Sequence, residues 1–165
     1  MTRRAVALIL LLGIALLGYL YIRGRGVTVR RINASVAAVP NCALQLVGST
    51  GDDIVVRLSI SNPTREPLGV DSWALPAWGH ISSPLFNVQR DGKTVGYNGS
   101  IGERKNSFPD VYDIAPGREA STRVSLSDAH YAVSGHGEFT IIYRGLIWAG
   151  GKSVLCTSVP LLVDK

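Results

Sequence analysis

Cysteine and histidine are scarce in this sequence, and their spacing disfavours a metal site. Its 165 residues include two cysteines, Cys42 and Cys156, and neither has a companion at Cys-x-x-Cys spacing. Three histidines are present, His80, His130 and His136, and no two of them are four residues apart on a predicted helix. We therefore expect loop histidines exposed to solvent, no metal ligands and no cofactor.

Sequence motifs of common catalytic and nucleotide-binding sites are also missing. The chain has no Gly-x-Ser-x-Gly nucleophile elbow. The segment Gly48-Ser49-Thr50-Gly51 lacks the lysine and the helix start of a phosphate-binding loop, and a hairpin turn is the simpler interpretation. Asp52-Asp53, or Asp110 with Asp113, would offer oxygen ligands to calcium, against the alternative of solvated turn charge. The sequence predicts no enzyme, although a hydrolase site assembled without a local motif remains an alternative.

Positive charge is concentrated near the amino terminus. Six of the seventeen lysines and arginines precede Ala38, whereas all twelve acidic residues follow it, so the remainder of the chain has eleven basic residues against twelve acidic ones. This balance removes the electrostatic basis for nucleic-acid binding by the folded part. The six arginines suit anionic lipid head groups instead.

The only long apolar run spans residues 5–22, between the basic residues 1–4 and Arg23. As a helix, about eighteen residues would measure about 27 Å, close to the thickness of the bilayer hydrocarbon. We predict an uncleaved transmembrane anchor, with a removed signal peptide as the alternative. The flanking arginines nearly balance, so charge alone does not decide the orientation of this helix. Residues 23–41 are expected to form a juxtamembrane linker, and residues 42–165 a single domain.

The two cysteines bracket the predicted domain. A lone pair near both ends is typical of a terminal disulfide, which persists outside the cytosol. The pattern therefore predicts a bond between Cys42 and Cys156 and places the C-terminal domain in the periplasm or the extracellular space. Two unpaired, buried cysteines in a cytosolic domain are the alternative.

Short β-favouring runs alternate with turn residues throughout the predicted domain, and no long 3.6-residue period occurs there. This pattern predicts an all-β, immunoglobulin-like antiparallel β-sandwich. The runs are Ala43 to Val47, Ile54 to Ser61, Val70 to Leu75, Phe86 to Arg90, Lys93 to Tyr97, Val111 to Ile114, Ser121 to Leu126, Glu138 to Tyr143 and Ser153 to Val163.

Alternation within the runs predicts which residues face the core. Apolar residues occupy every second position from Ile54 to Ile60, as a half-buried strand requires. Asp91-Gly92 separates two runs and is a dipeptide that tolerates positive φ, so we predict a β-hairpin there. Tyr131 precedes a core strand, where its hydroxyl would hydrogen-bond to nearby backbone as in a tyrosine corner. Both features are structural.

Large aromatic residues surround the irregular segment from Ala74 to Ser83. Trp73, Trp78, His80 and Phe86 lie in or beside this segment. Aromatic side chains in a loop often anchor a protein partner, which makes these four residues candidates for a binding surface. The alternative is that they cap one end of the sandwich core.

Four segments, in order, resemble the β-sandwich domain that precedes the catalytic domain in deuterolysin-type (aspzincin) metalloproteases, where it often belongs to the propeptide. They extend over about ninety residues, from Arg57 to Arg144. Arg104 falls where that family tends to have a basic residue, which makes it a fifth candidate for the partner-binding surface. The matching segments are Leu58-Ser59-Ile60-Ser61-Asn62-Pro63-Thr64, residues 85–99, Pro116-Gly117 followed by residues 124–131, and Gly137-Glu138-Phe139-Thr140-Ile141-Ile142-Tyr143-Arg144.

The chain departs from that family in having no His-Glu-x-x-His motif, and we expect that no catalytic domain accompanies it. The resemblance implies a free-standing accessory domain, which in the family assists folding or restrains the protease. The resulting hypothesis is a membrane-anchored, non-catalytic module that binds or regulates an envelope or secreted protein, with a metalloprotease as candidate. The alternative hypothesis is a structural component of a cell-envelope or membrane assembly.

Overall fold

The computed structural model describes residues 28–32, 39–76, 81, 83–102 and 111–165. These residues form eleven strands and no helix, and every strand pair is antiparallel, so the described chain is all-β. The strands are β1 (Thr28–Arg31), β2 (Asn41–Ser49), β3 (Ile54–Asn62), β4 (Leu68–Asp71), β5 (Phe86–Arg90), β6 (Lys93–Val95), β7 (Val111–Ile114), β8 (Arg118–Ser125), β9 (Glu138–Ala149), β10 (Lys152–Thr157) and β11 (Leu161–Asp164).

The strands belong to two sheets. The first has the order β1-β8-β3-β2, and the second has the order β6-β5-β9-β4-β7, with β10 and β11 also paired to β9. Strand β9 is twelve residues long. Its first half lies between β5 and β11, and its second half lies between β4 and β10. A single strand therefore organises the larger sheet.

The predicted inward face of β3 is confirmed. Burial alternates strictly along this strand, and every second residue, Ile54, Val56, Leu58 and Ile60, is fully buried. The same alternation is present in β8, where Thr122 and Val124 are buried, and in β9 from Phe139 onward. Because successive side chains of a strand point to opposite faces, this period identifies the side that packs inward.

Both sheets contribute to one hydrophobic core. Its buried residues come from β3 and β8 of the first sheet and from β5, β4 and β9 of the second. Contacts also join the sheets directly, between β2 and each of β9, β10 and β11. The two sheets thus form a sandwich-like pair, as two one-sided apolar sheets must to bury their faces.

The predicted disulfide between Cys42 and Cys156 is confirmed. Their Cα atoms are 5.9 Å apart, and the bond closes a sequence separation of 114 residues. Cys42 belongs to β2 and Cys156 to β10, so the bond joins the edge of one sheet to the edge of the other. In the chain-entropy description, a loop of about 100 residues contributes about 4.7 kcal/mol.

Strand β1 lies within residues 23–41, the range expected to be a linker. It pairs with β8, and the register aligns Arg30 with Glu119. The Arg30 Nε atom lies 2.7 Å from a Glu119 carboxylate oxygen, and the Ser61 hydroxyl donates to the other oxygen at 2.8 Å. This polar row crosses three strands and satisfies a glutamate that is only 8% exposed.

Several of the predicted runs differ from the strands at their ends. The run Ser153 to Val163 is divided into β10 and β11, and Pro160 lies in the break. Proline cannot donate to a β-ladder, which accounts for the interruption. The run Val70 to Leu75 ends early, at Asp71, because a turn follows.

The predicted membrane anchor, residues 5–22, lies outside the described residues. Within the described residues, no helix is long and apolar enough to cross a membrane.

Candidate partner-binding surface

Asp71 holds the turn that positions Trp73. Its carboxylate accepts a hydrogen bond from the Trp73 N–H at 2.9 Å, and its backbone carbonyl accepts one from the Ala74 N–H at 2.8 Å. Short side chains that bond to backbone two residues on are typical of such turns. Trp73 is half-buried in this turn, directly after β4.

A cleft of about 270 Å³ adjoins Trp73. It is lined by residues of the turn after β4, of the segment before β5, and of strands β9 and β10. Two of its leucines, Leu146 of β9 and Leu155 of β10, are paired across the strands and are 47% and 48% exposed. The lining comprises Asp71, Trp73, Ala74, Ser83, Pro84, Leu85, Arg144, Gly145, Leu146 and Leu155. Apolar walls with a few polar groups are typical of binding clefts.

Phe86, predicted as a member of the aromatic surface, lies in the core instead. It is 5% exposed, and its ring makes edge contacts with Tyr131 and Tyr143, at centroid distances of 6.0 and 5.9 Å. As the first residue of β5, Phe86 points inward with Val88, two residues further on. We therefore leave it out of the candidate surface.

Three other residues of the predicted surface lie outside the described residues. These are Trp78, His80 and Arg104. Of the five predicted contacts, Trp73 is thus the one that the structure places beside a cleft.

The hydroxyl groups of two buried tyrosines hydrogen-bond to backbone groups of distant segments. The Tyr143 hydroxyl donates to the Ala74 carbonyl at 2.7 Å, and burial raises the pKa of this phenol. The Tyr131 hydroxyl bonds to the Phe86 backbone, and burial raises the pKa of Tyr131 to about 12. Both phenols stay protonated at neutral pH and hold backbone segments together.

Asp91 and Gly92 connect β5 to β6. Both residues have positive φ, 49° and 75°, as a two-residue hairpin turn of this kind requires. The Asp91 carboxylate also accepts a hydrogen bond from the Glu138 N–H at 2.9 Å. The hairpin is thereby attached to the start of β9.

The structure places two of the four acidic residues considered as calcium ligands, Asp53 and Asp113, in different parts of the fold. One Asp53 carboxylate oxygen accepts hydrogen bonds from the N–H groups of Ile54 and Ser127, at 2.7 and 3.0 Å. Asp113 lies on β7, and Asp110 is outside the described residues. Across the described ranges, no group of three histidine, cysteine or acidic side chains is placed to hold a metal ion.

Part of this chain is similar in sequence to a known protease. The chain is 32% identical over 116 residues to an extracellular protease of Aeromonas hydrophila. The match covers 67% of this chain and 33% of the relative, so the chain spans about a third of the length of the protein that it matches. No family model matches the chain.

Among solved structures, a Bacillus subtilis protein described as a lipoprotein is similar over 86% of this chain and 37% of its own length. The identity is 12% and the TM-score is 0.35. A likeness of this size does not define the fold, which we describe from the strands themselves.

Sequence reasoning missed the exposed apolar residues of β10. Val154 and Leu155 are 45% and 48% exposed, next to Leu146 of β9. The run Ser153 to Val163 correctly indicated strand, but its composition does not say whether the strand is central or at an edge. That information depends on which strands pair across the sheet, and such pairs are distant in sequence.

Proposed function

We propose that this chain is a non-catalytic, extracytoplasmic module of immunoglobulin-like type that binds or regulates a protein partner. A metalloprotease is the first candidate for the partner. The proposal includes an N-terminal membrane anchor, residues 5–22, with the sandwich in the periplasm or outside the cell.

The observation that carries this proposal is the similarity to one third of an extracellular protease. The match covers only a third of that protease, a fraction that suits an accessory domain. More specifically, we propose that the module resembles the accessory domain of deuterolysin-type metalloproteases, and the four matching sequence segments support this assignment. Function rests on the site and not on the fold alone, so the accessible cleft beside Trp73 is the place to test.

The disulfide supports the proposed compartment independently of the sequence similarity. Reducing conditions in the cytosol disfavour structural disulfides, whereas the periplasm and the cell exterior allow them. The bond between Cys42 and Cys156 therefore favours an oxidising location, in agreement with the similarity to an extracellular protein.

The test uses the full chain in membranes of its source organism. A photo-crosslinking amino acid replaces Ser83 in the cleft, and a control chain carries it instead of Gln45, which is exposed on β2. We expect an envelope or secreted protein to crosslink at Ser83 and not at Gln45. That protein, once purified, should bind the chain directly, and if it is a protease its rate of casein hydrolysis should change when the chain is added.

Two results would count against the proposal. One is the absence of any envelope or secreted protein among the crosslinked products from Ser83. The other is hydrolysis of casein by the purified chain itself, which would make it an enzyme; repeating that assay with a chelator would show whether the activity needs a metal.

A further inference from the structure

Strand β10 has one edge without a hydrogen-bonded neighbour among the described strands. It pairs with β9 along six residues, from Lys152 with Ala149 to Thr157 with Arg144, and with no other strand. Its contact with β2 belongs to the packing of one sheet on the other and includes the disulfide.

The hydrogen-bond pattern shows which backbone groups point away from β9. The Ser158 N–H donates to the Tyr143 carbonyl at 3.1 Å. In an antiparallel pair, residues that bond to the neighbouring strand alternate with residues that bond outward. Cys156 and Val154 therefore bond to β9, whereas the N–H and C=O groups of Ser153, Leu155 and Thr157 point to the free edge.

The other sheet edges have features that discourage pairing with a further strand. Strand β2 is interrupted by a bulge between Leu46 and Gly48. Strands β6, β7 and β11 have three or four residues, and each includes a charged residue, while β1 ends in two arginines. Bulges, short length and charge are the usual protections of an edge. Strand β10 begins with Lys152, but from Ser153 to Thr157 it has no charge, no proline and no bulge, so a longer uncharged stretch is exposed than on the other edges.

The side chains beside this edge form an apolar strip with a positive charge. Leu155 and Leu146 are half exposed and border the cleft beside Trp73. Arg144 lies on the same face, is exposed, and forms no ion pair with the acidic residues that the structure describes. The acidic residue that lines the cleft, Asp71, is buried in its own turn.

We propose that β10 accepts an extended segment of the protein partner as an additional antiparallel or parallel strand. This inference rests on the proposed function and specifies its recognition chemistry. Backbone bonds to Ser153, Leu155 and Thr157 give affinity, as in other cases of strand addition. Alternate apolar side chains of the segment pack on Leu155, and a long acidic side chain reaches across β10 to pair with Arg144 of β9.

The test measures binding of a peptide to the full chain in phospholipid nanodiscs, with empty nanodiscs as the blank. The probe is a fluorescein-labelled six-residue peptide that alternates valine with polar residues and includes one glutamate. One control peptide replaces the glutamate with lysine, and another is N-methylated at alternate amides, which removes the backbone donors. Fluorescence anisotropy should show binding of the first peptide and at least about tenfold weaker binding of both controls.

Variants of the chain locate the site. Ser153→Pro removes an outward N–H without disturbing the bonds to β9, because edge strands tolerate proline at such positions. Leu155→Lys places a charge on the edge. Each should weaken binding about tenfold or more. Leu46→Lys is the matched control, since Leu46 is 44% exposed on the edge of β2, and it should change the Kd less than about twofold. Thermal melting and the intact disulfide verify folding of each variant.

The outcomes separate this inference from the proposed function. Failure of the glutamate peptide to bind, or equal binding by Ser153→Pro and wild type, overturns strand addition at β10. If the partner crosslinked at Ser83 still binds both β10 variants, the proposed function holds, and only the assignment of the binding site to the β10 edge is wrong. Sedimentation that shows dimers of the wild type and monomers of Ser153→Pro would identify a second copy as the occupant, contrary to this proposal.

Discussion

The Tyr131 hydroxyl lies 3.0 Å from the backbone nitrogen of Phe86 and 3.0 Å from its backbone oxygen. It therefore accepts a hydrogen bond from the N–H and donates one to the C=O. The tyrosine-corner interpretation expected a hydroxyl bond to nearby backbone. The observed partner is 45 residues away in sequence, at the start of β5. This contact attaches the loop before β9 to a neighbouring strand of the same sheet.

Replacing Tyr131 with phenylalanine should leave both Phe86 backbone groups buried without a partner. We expect Tyr131→Phe to lower the free energy of unfolding by about 1–3 kcal/mol, the usual cost of such groups. Urea denaturation followed by tryptophan fluorescence measures this change. Tyr97→Phe is the control, because the Tyr97 hydroxyl contacts carbonyl groups of Ile81 and Ser100 at a more accessible site. Equal effects of the two substitutions would contradict the assigned role.

Alkaline pH should destabilise the fold through the same phenol. Burial raises the pKa of Tyr131 to about 12 in the folded state, against 10.0 for a free tyrosine. The stability that comes from the protonated phenol is complete below pH 10 and decreases as the pH rises toward 12, because the unfolded chain loses the proton first. Denaturation curves between pH 8 and pH 12 measure this loss. Tyr131→Phe should show a weaker pH dependence, and an unchanged dependence would exclude Tyr131 as its source.

Strand positions were largely predictable, because alternation of apolar and polar residues directly reflects burial on one face. Strands β3 and β5 lie where the pattern placed them, with Ile54 and Phe86 as their first residues. The disulfide was predictable because only one cysteine pair exists. Strand β1 was not anticipated, since a four-residue strand with two arginines has no distinctive pattern and depends on pairing with β8.

The candidate surface was harder to predict, because exposure of an aromatic residue depends on tertiary packing. Trp73 and Phe86 both lie beside the irregular segment from Ala74 to Ser83, yet Trp73 adjoins a cleft and Phe86 fills the core. The free edge of β10 had no local signal either. It follows from the order of strands in the larger sheet, which is set by contacts between residues far apart in the chain.

Asn62 should be among the most sensitive polar residues. It is fully buried, and its amide nitrogen donates to the carbonyl groups of Glu66 and Ile114, each at 2.8 Å. Its oxygen accepts hydrogen bonds from the N–H and hydroxyl of Thr64. Asn62→Ala should therefore cost about 3 kcal/mol or more in urea denaturation. Asn98→Ala, at an exposed position, should change stability by less than about 0.5 kcal/mol, and a comparable loss there would contradict this assignment.

Gly92 should resist substitution for backbone reasons alone. A Cβ atom at Gly92 would meet nothing within 4 Å, but φ is +75° there. Gly92→Ala should therefore destabilise the chain by about 1 kcal/mol, the cost of an L-residue in the left-handed region. Gly51 provides the matched control, since it has equal space and lacks positive φ, so Gly51→Ala should be neutral or slightly stabilising. Thermal unfolding of both variants decides the matter, and equal melting temperatures would remove the argument for strain.

The bond between Cys42 and Cys156 should stabilise the fold, and its presence in the native protein should indicate an oxidising compartment. Mass spectrometry of the full chain from its native membranes should show no alkylation before reduction and two alkylated thiols after it, because the described cysteines are both in the disulfide. Replacing both cysteines with alanine should lower the free energy of unfolding by about 3–5 kcal/mol, since the long loop is no longer closed in the unfolded chain. Free thiols in the unreduced native protein would contradict an oxidising compartment. If the measured mass lacks the N-terminal segment, the apolar run 5–22 has served as a cleaved signal. The protein would then be a released module and not an anchored one.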